Sequence, residues 1–175
     1  MTTDARHLDE QTRGDLDAYV GGELDREGLL AGPVGDLLRA PERVRAAIRA
    51  AMAGDGDLDL AIELLWLSDD PTPYRDLLEE LLLLPGHHHH QAVARALQRL
   101  ASPASVDTIR RALGAGFDHL EYTCSEPEVI AKWYSWVLAE IGSDEAIALL
   151  REYAASSDPA VAGEMRYRLR RLGLA

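Results

Sequence analysis

The sequence predicts an all-α protein, an α-solenoid of about three helical-hairpin repeats preceded by an N-terminal helical cap. Three observations support this. Nearly every segment places apolar residues at helical spacing, and none sustains a period-2 alternation. Each periodic stretch is bounded by proline, glycine or small polar residues. "LWLSDDPTPYRDLL", "LQRLASPASVDTIRRAL" and "LAEIGSDEAIALL" also share one grammar, in which a helix ends on Leu or Ile, a short polar turn follows, and a second helix begins. Leu100 and Ile141, equivalent positions in this scheme, lie about 40 residues apart, within the range of helical-hairpin repeats. The interval from Leu67 to Leu100 is shorter, so the repeats are irregular. Hairpins that recur along the chain favour a stacked array over a four-helix bundle.

The elements follow in order. Residues 8–20 and 22–30 are helical candidates separated by "YVGGE", and "GPVGDLLRA" is a short helix opened by Pro33. "PERVRAAIRAAMAG" has Pro41 at its first position, Glu42 in its first turn, an apolar stripe of Val44, Ala47, Ile48 and Ala51, and Gly54 past its end. "DGDLDLAIELLWLSDD" aligns Leu58, Ile62, Leu65 and Trp66 on one side, with Asp57 as N-cap. "PTPYRDLLEELLLLPG" begins at Thr72-Pro73 and stops at Pro85-Gly86. "HQAVARALQRLAS" offers Val93, Ala94, Leu97 and Leu100, and "PASVDTIRRALGAG" turns Val106, Ile109 and Leu113 inward. For "EPEVIAKWYSWVLAEIG" the expected cap is Ser125, with Glu128 completing a capping box. Its expected buried face is Val129, Ile130, Trp133, Val137, Leu138 and Ile141. Ser143 and Asp158-Pro159 open the last two helices, and arginines 166, 168, 170 and 171 gather near the final C-terminus, where the helix dipole favours cations. The expected division is an acidic N-terminal cap over 1–54 and a compact repeat unit over 55–175.

The 175 residues carry a net charge of −12, unevenly spread. Residues 1–84 hold 19 acids against 8 arginines, a balance of −11; residues 85–175 hold 11 acids against 10 bases, a balance of −1. Such acidity opposes a phosphate backbone and attracts cationic partners. Nucleic acid is therefore not an expected partner. No apolar run reaches membrane-spanning length, no secretory leader pattern opens the chain, and the single cysteine, Cys124, cannot form an internal disulfide. The expected setting is cytoplasmic, with no membrane partner.

The run "HHHH", His87 to His90, lies between patterned segments and not at a terminus, which speaks against a purification tag. On a helix His87 and His90 would share a face, yet a tight metal site needs further ligands, for which His119 or Asp118 would have to converge. The expectation is that His87, His90 and His119 do not meet, and that no metal or other cofactor is bound. Cys124 lacks a specified base and orienting group for catalysis. No phosphate-binding loop, dinucleotide fingerprint, zinc-protease or nucleophile-elbow motif occurs.

From about residue 57 to 172 the chain resembles a bacterial HEAT-repeat protein. The resemblance is carried by "FDHLEYTCSEPEVIAKWYSWVLAEIGSDEAIALLREYAAS", in which Phe117, Asp118, Leu120, Tyr122, Lys132, Ile141, Gly142, Glu145 and Ala146 match the "FDYL-x-YD … ALxxIGTxEA" pattern of similar proteins. His87 and His90 fall on the two histidines of that group's "WHxxHED" stretch, although Gly86 replaces its Trp and Gln91-Ala92 its acidic pair. The resemblance implies a HEAT-like solenoid and a non-enzymatic binding role, like that of immunity proteins that neutralise a companion polymorphic toxin. The expected partner is then another protein, a basic toxin domain, met by an acidic surface; oligomeric state stays open. The residues assigned to partner binding are Asp57, Asp59, Glu63, Trp66, Tyr134, Trp136 and Glu140. The alternatives are a scaffold or adaptor subunit of a larger complex and, third, a HEAT-like DNA glycosylase, which would need a basic channel.

Overall fold

A computed structural model describes residues 8–174, and it is all-helical, with no strand among the described residues. The chain forms two compact units, Met1–Tyr74 and Arg75–Ala175. The division therefore falls one helix later than the 54/55 boundary drawn from sequence, because the helix over Leu58–Leu67 packs on its predecessors.

The first unit contains α1 (Glu10–Val20), α2 (Arg26–Ala31), α3 (Pro33–Leu38), α4 (Pro41–Met52), α5 (Leu58–Leu67) and a 3-10 turn at Thr72–Tyr74. Aspartates cap three of these helices: Asp9 accepts from the Thr12 amide at 2.7 Å, Asp25 from Gly28 at 2.8 Å and Asp57 from Leu60 at 3.1 Å. Part of this unit's acidity therefore satisfies backbone amides at helix starts. Leu16, Leu29, Val34, Val44, Ile48, Ile62 and Leu64, from α1 to α5, are fully buried. Gly35 lies against the backbone of Leu30, where an added Cβ would collide with the Leu30 carbonyl. Arg26 ties the start of α2 to the end of α5 through the Leu67 carbonyl at 3.3 Å and Asp69 at 3.2 Å.

The second unit contains α6 (Arg75–Leu83), α7 (His90–Leu100), α8 (Val106–Ala115), a 3-10 segment at Asp118–Thr123, α9 (Pro127–Ile141), α10 (Asp144–Ala154) and α11 (Pro159–Arg171). Its contacts alternate: α7 packs on α9 and α9 on α11, while α6 packs on α8 and α8 on α10. Leu77, Leu81, Val93, Leu97, Ile109, Tyr134, Val137, Leu138, Leu149 and Met165 form the core. Gly142 takes the left-handed conformation (φ 62°) that ends α9, and Ser143 at once caps α10 by accepting from the Ala146 amide at 3.2 Å.

Helix α9 departs from the sequence reading in two ways. Its N-cap is Glu126, with no side-chain capping bond; Ser125 is engaged in a local turn with Thr123, and Pro127 occupies the first helical position. Its buried face is Ile130, Ala131, Tyr134, Ser135, Val137 and Leu138, leaving Val129 exposed and Trp133 half-buried. The cause is that α9 touches α7, α8, α10 and α11, so its covered arc is set by several neighbours and not by one stripe.

Candidate protein-binding groove

Helix α7 buries Val93, Ala94, Ala96 and Leu97, and therefore turns Gln91, Arg95, Gln98 and Arg99 outward along the opposite side. Helix α9 buries the face just described and turns Val129, Lys132, Trp133 and Trp136 toward the same space. These eight side chains line a groove of about 590 Å³. Three are cations and none is a carboxylate, in a chain whose net charge is −12. Among the described residues, Arg95, Arg99 and Lys132 form no ion pair. Trp136 is 39 % exposed and Val129 43 %, an apolar strip set among the cations.

Trp136 is held from behind. The guanidinium of Arg168, on α11, lies 3.9 Å from the centre of the indole. Arg168 is itself buried: its Nε donates to Ser135 Oγ at 3.1 Å, its Nη2 pairs with Glu164 at 3.0 Å, and Ser135 Oγ donates to Glu164 at 2.7 Å. Each charge is thus paired and hydrogen-bonded, as a buried charge requires. The result is a platform that orients the indole across α9 and α11.

Next to the groove, the start of α7 is occupied by histidines. Contrary to the sequence expectation, His87, His90 and His119 do converge: the His87 and His90 rings stack at 4.0 Å, and His119 meets His90 edge-on at 5.3 Å. The helix begins only at His90, so His87 arrives through the preceding turn and not along a shared helix face. His87 accepts the His89 amide on Nδ1 at 3.1 Å and donates from Nε2 to the Leu81 carbonyl at 2.8 Å. His90 donates from Nε2 to the Leu84 carbonyl at 3.0 Å; its Nδ1 accepts the Tyr122 hydroxyl at 2.9 Å, and that hydroxyl accepts the His90 amide at 3.2 Å. Both ring nitrogens of both residues are therefore occupied, leaving no lone pair for a metal. Among the described residues no group of three or more His, Cys, Asp or Glu has the arrangement of a metal site. Burial, then the neighbouring His87 and His119, pushes the His90 pKa down to about 4. The stacked His87 and His90 rings form a polar plug at the start of α7. Deeper in, Tyr134 Oη and His119 Nε2 are buried without a hydrogen-bond partner among the described residues.

No family model, curated protein or solved structure matches this chain. The site rests on its geometry alone.

The residues expected at a partner surface divide between the two units. Asp57, Asp59, Glu63 and Trp66 belong to the first, where Asp57 caps α5 and the other three, at helical spacing, lie half-buried on that helix. Asp57 also lines a cavity of about 500 Å³ with Arg13, Asp55 and the end of α4. Of the remaining three, Trp136 is in the groove and Glu140 is exposed on α9. Tyr134 is a correction: it has no exposed surface, and burial raises its hydroxyl pKa well above the usual value. Trp133, expected in the core, takes the groove position instead. The sequence reading missed Gln91, Arg95, Gln98, Arg99, Val129 and Lys132. For the four on α7 the available signal was the polar stripe opposite Val93, Ala94 and Leu97; Val129 was expected in the buried face of α9, and nothing in the spacing marked Lys132. No helix among the described residues is long and apolar enough to cross a membrane.

Proposed function

We propose that this chain is a non-enzymatic, HEAT-like α-solenoid that binds another protein, acting in the cytoplasm, and that the groove between α7 and α9 is its docking surface. The observation that carries this reading is the groove's composition: a fixed, exposed tryptophan and an apolar strip, flanked by uncompensated cations. Aromatic anchors held rigid at the centre of a polar rim are the usual seat of binding energy in interfaces. The alternating contacts of α6, α8 and α10 on one side and α7, α9 and α11 on the other support a stacked-hairpin arrangement.

An immunity role, neutralising a companion toxin, is the specific form supported by the resemblance to bacterial HEAT-repeat proteins. The balance of −11 over residues 1–84 adds a second surface, suited to a basic toxin, on which Asp59, Glu63 and Trp66 of α5 would take part. A glycosylase reading is disfavoured because the groove that holds the aromatics has no carboxylate in its lining. The test is calorimetric titration of the full chain against the product of the adjacent gene. Binding tighter than micromolar that Trp136→Ala weakens at least tenfold supports the groove; binding that only Glu63→Lys weakens moves the interface to α5. A scaffold subunit would instead co-purify in a stable assembly of several different chains. No binding to that gene product and no co-purifying assembly would refute the proposal.

A further inference from the structure

The groove lies in the part of the chain that is nearly neutral overall, and yet three of its eight lining residues are cations and none is an anion. We propose that its occupant is an acidic segment of a partner protein carrying at least one apolar anchor, the opposite sign of partner from the one that the acidic first half would attract. The inference rests on the reading of the groove as a docking surface, and it names the chemistry that surface selects. Arg95 and Arg99 are one turn apart on α7, and Lys132 faces them from α9. Trp133, Trp136 and Val129 of α9 belong to the same lining.

A ligand that satisfies both features presents carboxylates together with an apolar side chain. From Gln91 to Arg99 the groove runs about 12 Å along α7, at 1.5 Å per residue. That length matches about two turns of a helix or three to four extended residues, so a short segment fills it. A nucleic acid meets the same three cations, and three phosphate contacts alone give only weak, salt-sensitive binding. An acidic peptide adds to its carboxylates the aliphatic anchor that the exposed Trp136 and Val129 call for. Among the described residues these cations form no ion pair, so their attraction is available to the ligand.

The arrangement also explains why Arg168 is buried behind Trp136 and not in the groove itself. Paired with Glu164, it brings no net charge to the rim, while it fixes the ring that an anchor would press against. Charge selection is left to Arg95, Arg99 and Lys132, and apolar contact to the indole. The two can be varied separately.

The test uses the full chain with Trp66→Phe, so that emission reports only Trp133 and Trp136. The probes are a Glu/Leu peptide of about 12 residues, the matching Lys/Leu peptide, and an oligothymidylate of similar length. The expected result is a saturable emission shift with the Glu/Leu peptide, weakened at least tenfold by Arg95→Glu/Arg99→Glu and weakened by added salt. Arg111→Glu, an exposed change on α8, leaves it unaltered. Circular dichroism and the urea midpoint confirm that each variant is folded. Tighter groove binding by the oligothymidylate, or an equal emission shift with the Lys/Leu peptide, overturns the inference. So does concentration-dependent self-association that the double reversal abolishes, because a second copy's acidic half would then be the occupant. Against the adjacent gene product, loss of binding with Trp136→Ala but not with the arginine reversals would keep the docking surface and reject its acidic ligand. Binding that survives every groove variant would reject the docking surface itself.

Discussion

Acidification should loosen this protein through His90, by an amount that follows from its surroundings. In the folded chain the ring is fully buried, stacked on His87 and hydrogen-bonded at both nitrogens, and its pKa falls from the ordinary 6.5 to about 4. The unfolded chain takes up the proton near pH 6.5, whereas the folded chain resists it until about pH 4. Between those values the unfolded state binds more protons, so stability falls as pH falls through that window and is undiminished above it. The full span is worth on the order of 3 kcal/mol, of which about 2 kcal/mol is lost between pH 7 and pH 5. The assay is urea unfolding at several pH values in that range, for the native chain and for His90→Gln. Glutamine keeps one donor for the Leu84 carbonyl and one acceptor for Tyr122, without a titrating ring. The variant should be less stable at pH 7 but lose about 2 kcal/mol less on going to pH 5. Carboxylates contribute equally to both chains and cancel in the difference. Parallel pH profiles for the two proteins would show that His90 is already protonated, or solvated, in the folded state, and would refute the account of the plug.

Three further outcomes follow from buried groups. Tyr134→Phe removes a hydroxyl that has no partner among the described residues, and should stabilise the chain by about 1 kcal/mol, raising Tm by roughly 2–4 °C. A lower Tm in calorimetry would mean that the hydroxyl is satisfied. Gly35→Ala drives a Cβ into the Leu30 carbonyl and should cost about 1–3 kcal/mol in urea titration, where Gly163→Ala, whose added Cβ meets open space, should cost nothing. Arg168→Met leaves the Glu164 carboxylate without its cation, held by the Ser135 hydroxyl alone, and should cost about 3 kcal/mol, of which Arg168→Met/Glu164→Leu recovers at least half. Equal losses in the single and double variants would reject the pairing argument.

The sequence made the helices legible, because proline, glycine and capping residues act locally. Asp57, Ser143 and Asp158 cap the helices expected of them, and Val93, Ala94, Leu97, Val106, Ile109 and Leu113 are buried as their spacing implied. What stayed hidden depends on contacts between distant segments. His90 meets Tyr122, 32 residues away, and His119 on the same 3-10 segment, so no spacing rule could show that these histidines meet. Trp133 and Tyr134 exchange their expected roles because the covered arc of α9 is set by four packed neighbours. Charge misled as well. The chain's total of −12 drew attention to acidic stretches, whereas Arg95, Arg99 and Lys132 form a cationic lining only once α7 and α9 lie together.

The Tyr122 hydroxyl grips α7 at its first residue through both the amide and the ring of His90, and so sets the rotational phase of that helix. A side-chain head about 6 Å from a helix axis sweeps roughly 2 Å for a 20° roll. That is enough to turn a contact made by Arg95 or Arg99 into a gap. The tyrosine thus acts as an index pin on a dial whose pointers are the two arginines one and two turns further on. A ligand that needs both cations at once would feel the loss of that hydroxyl without ever touching it.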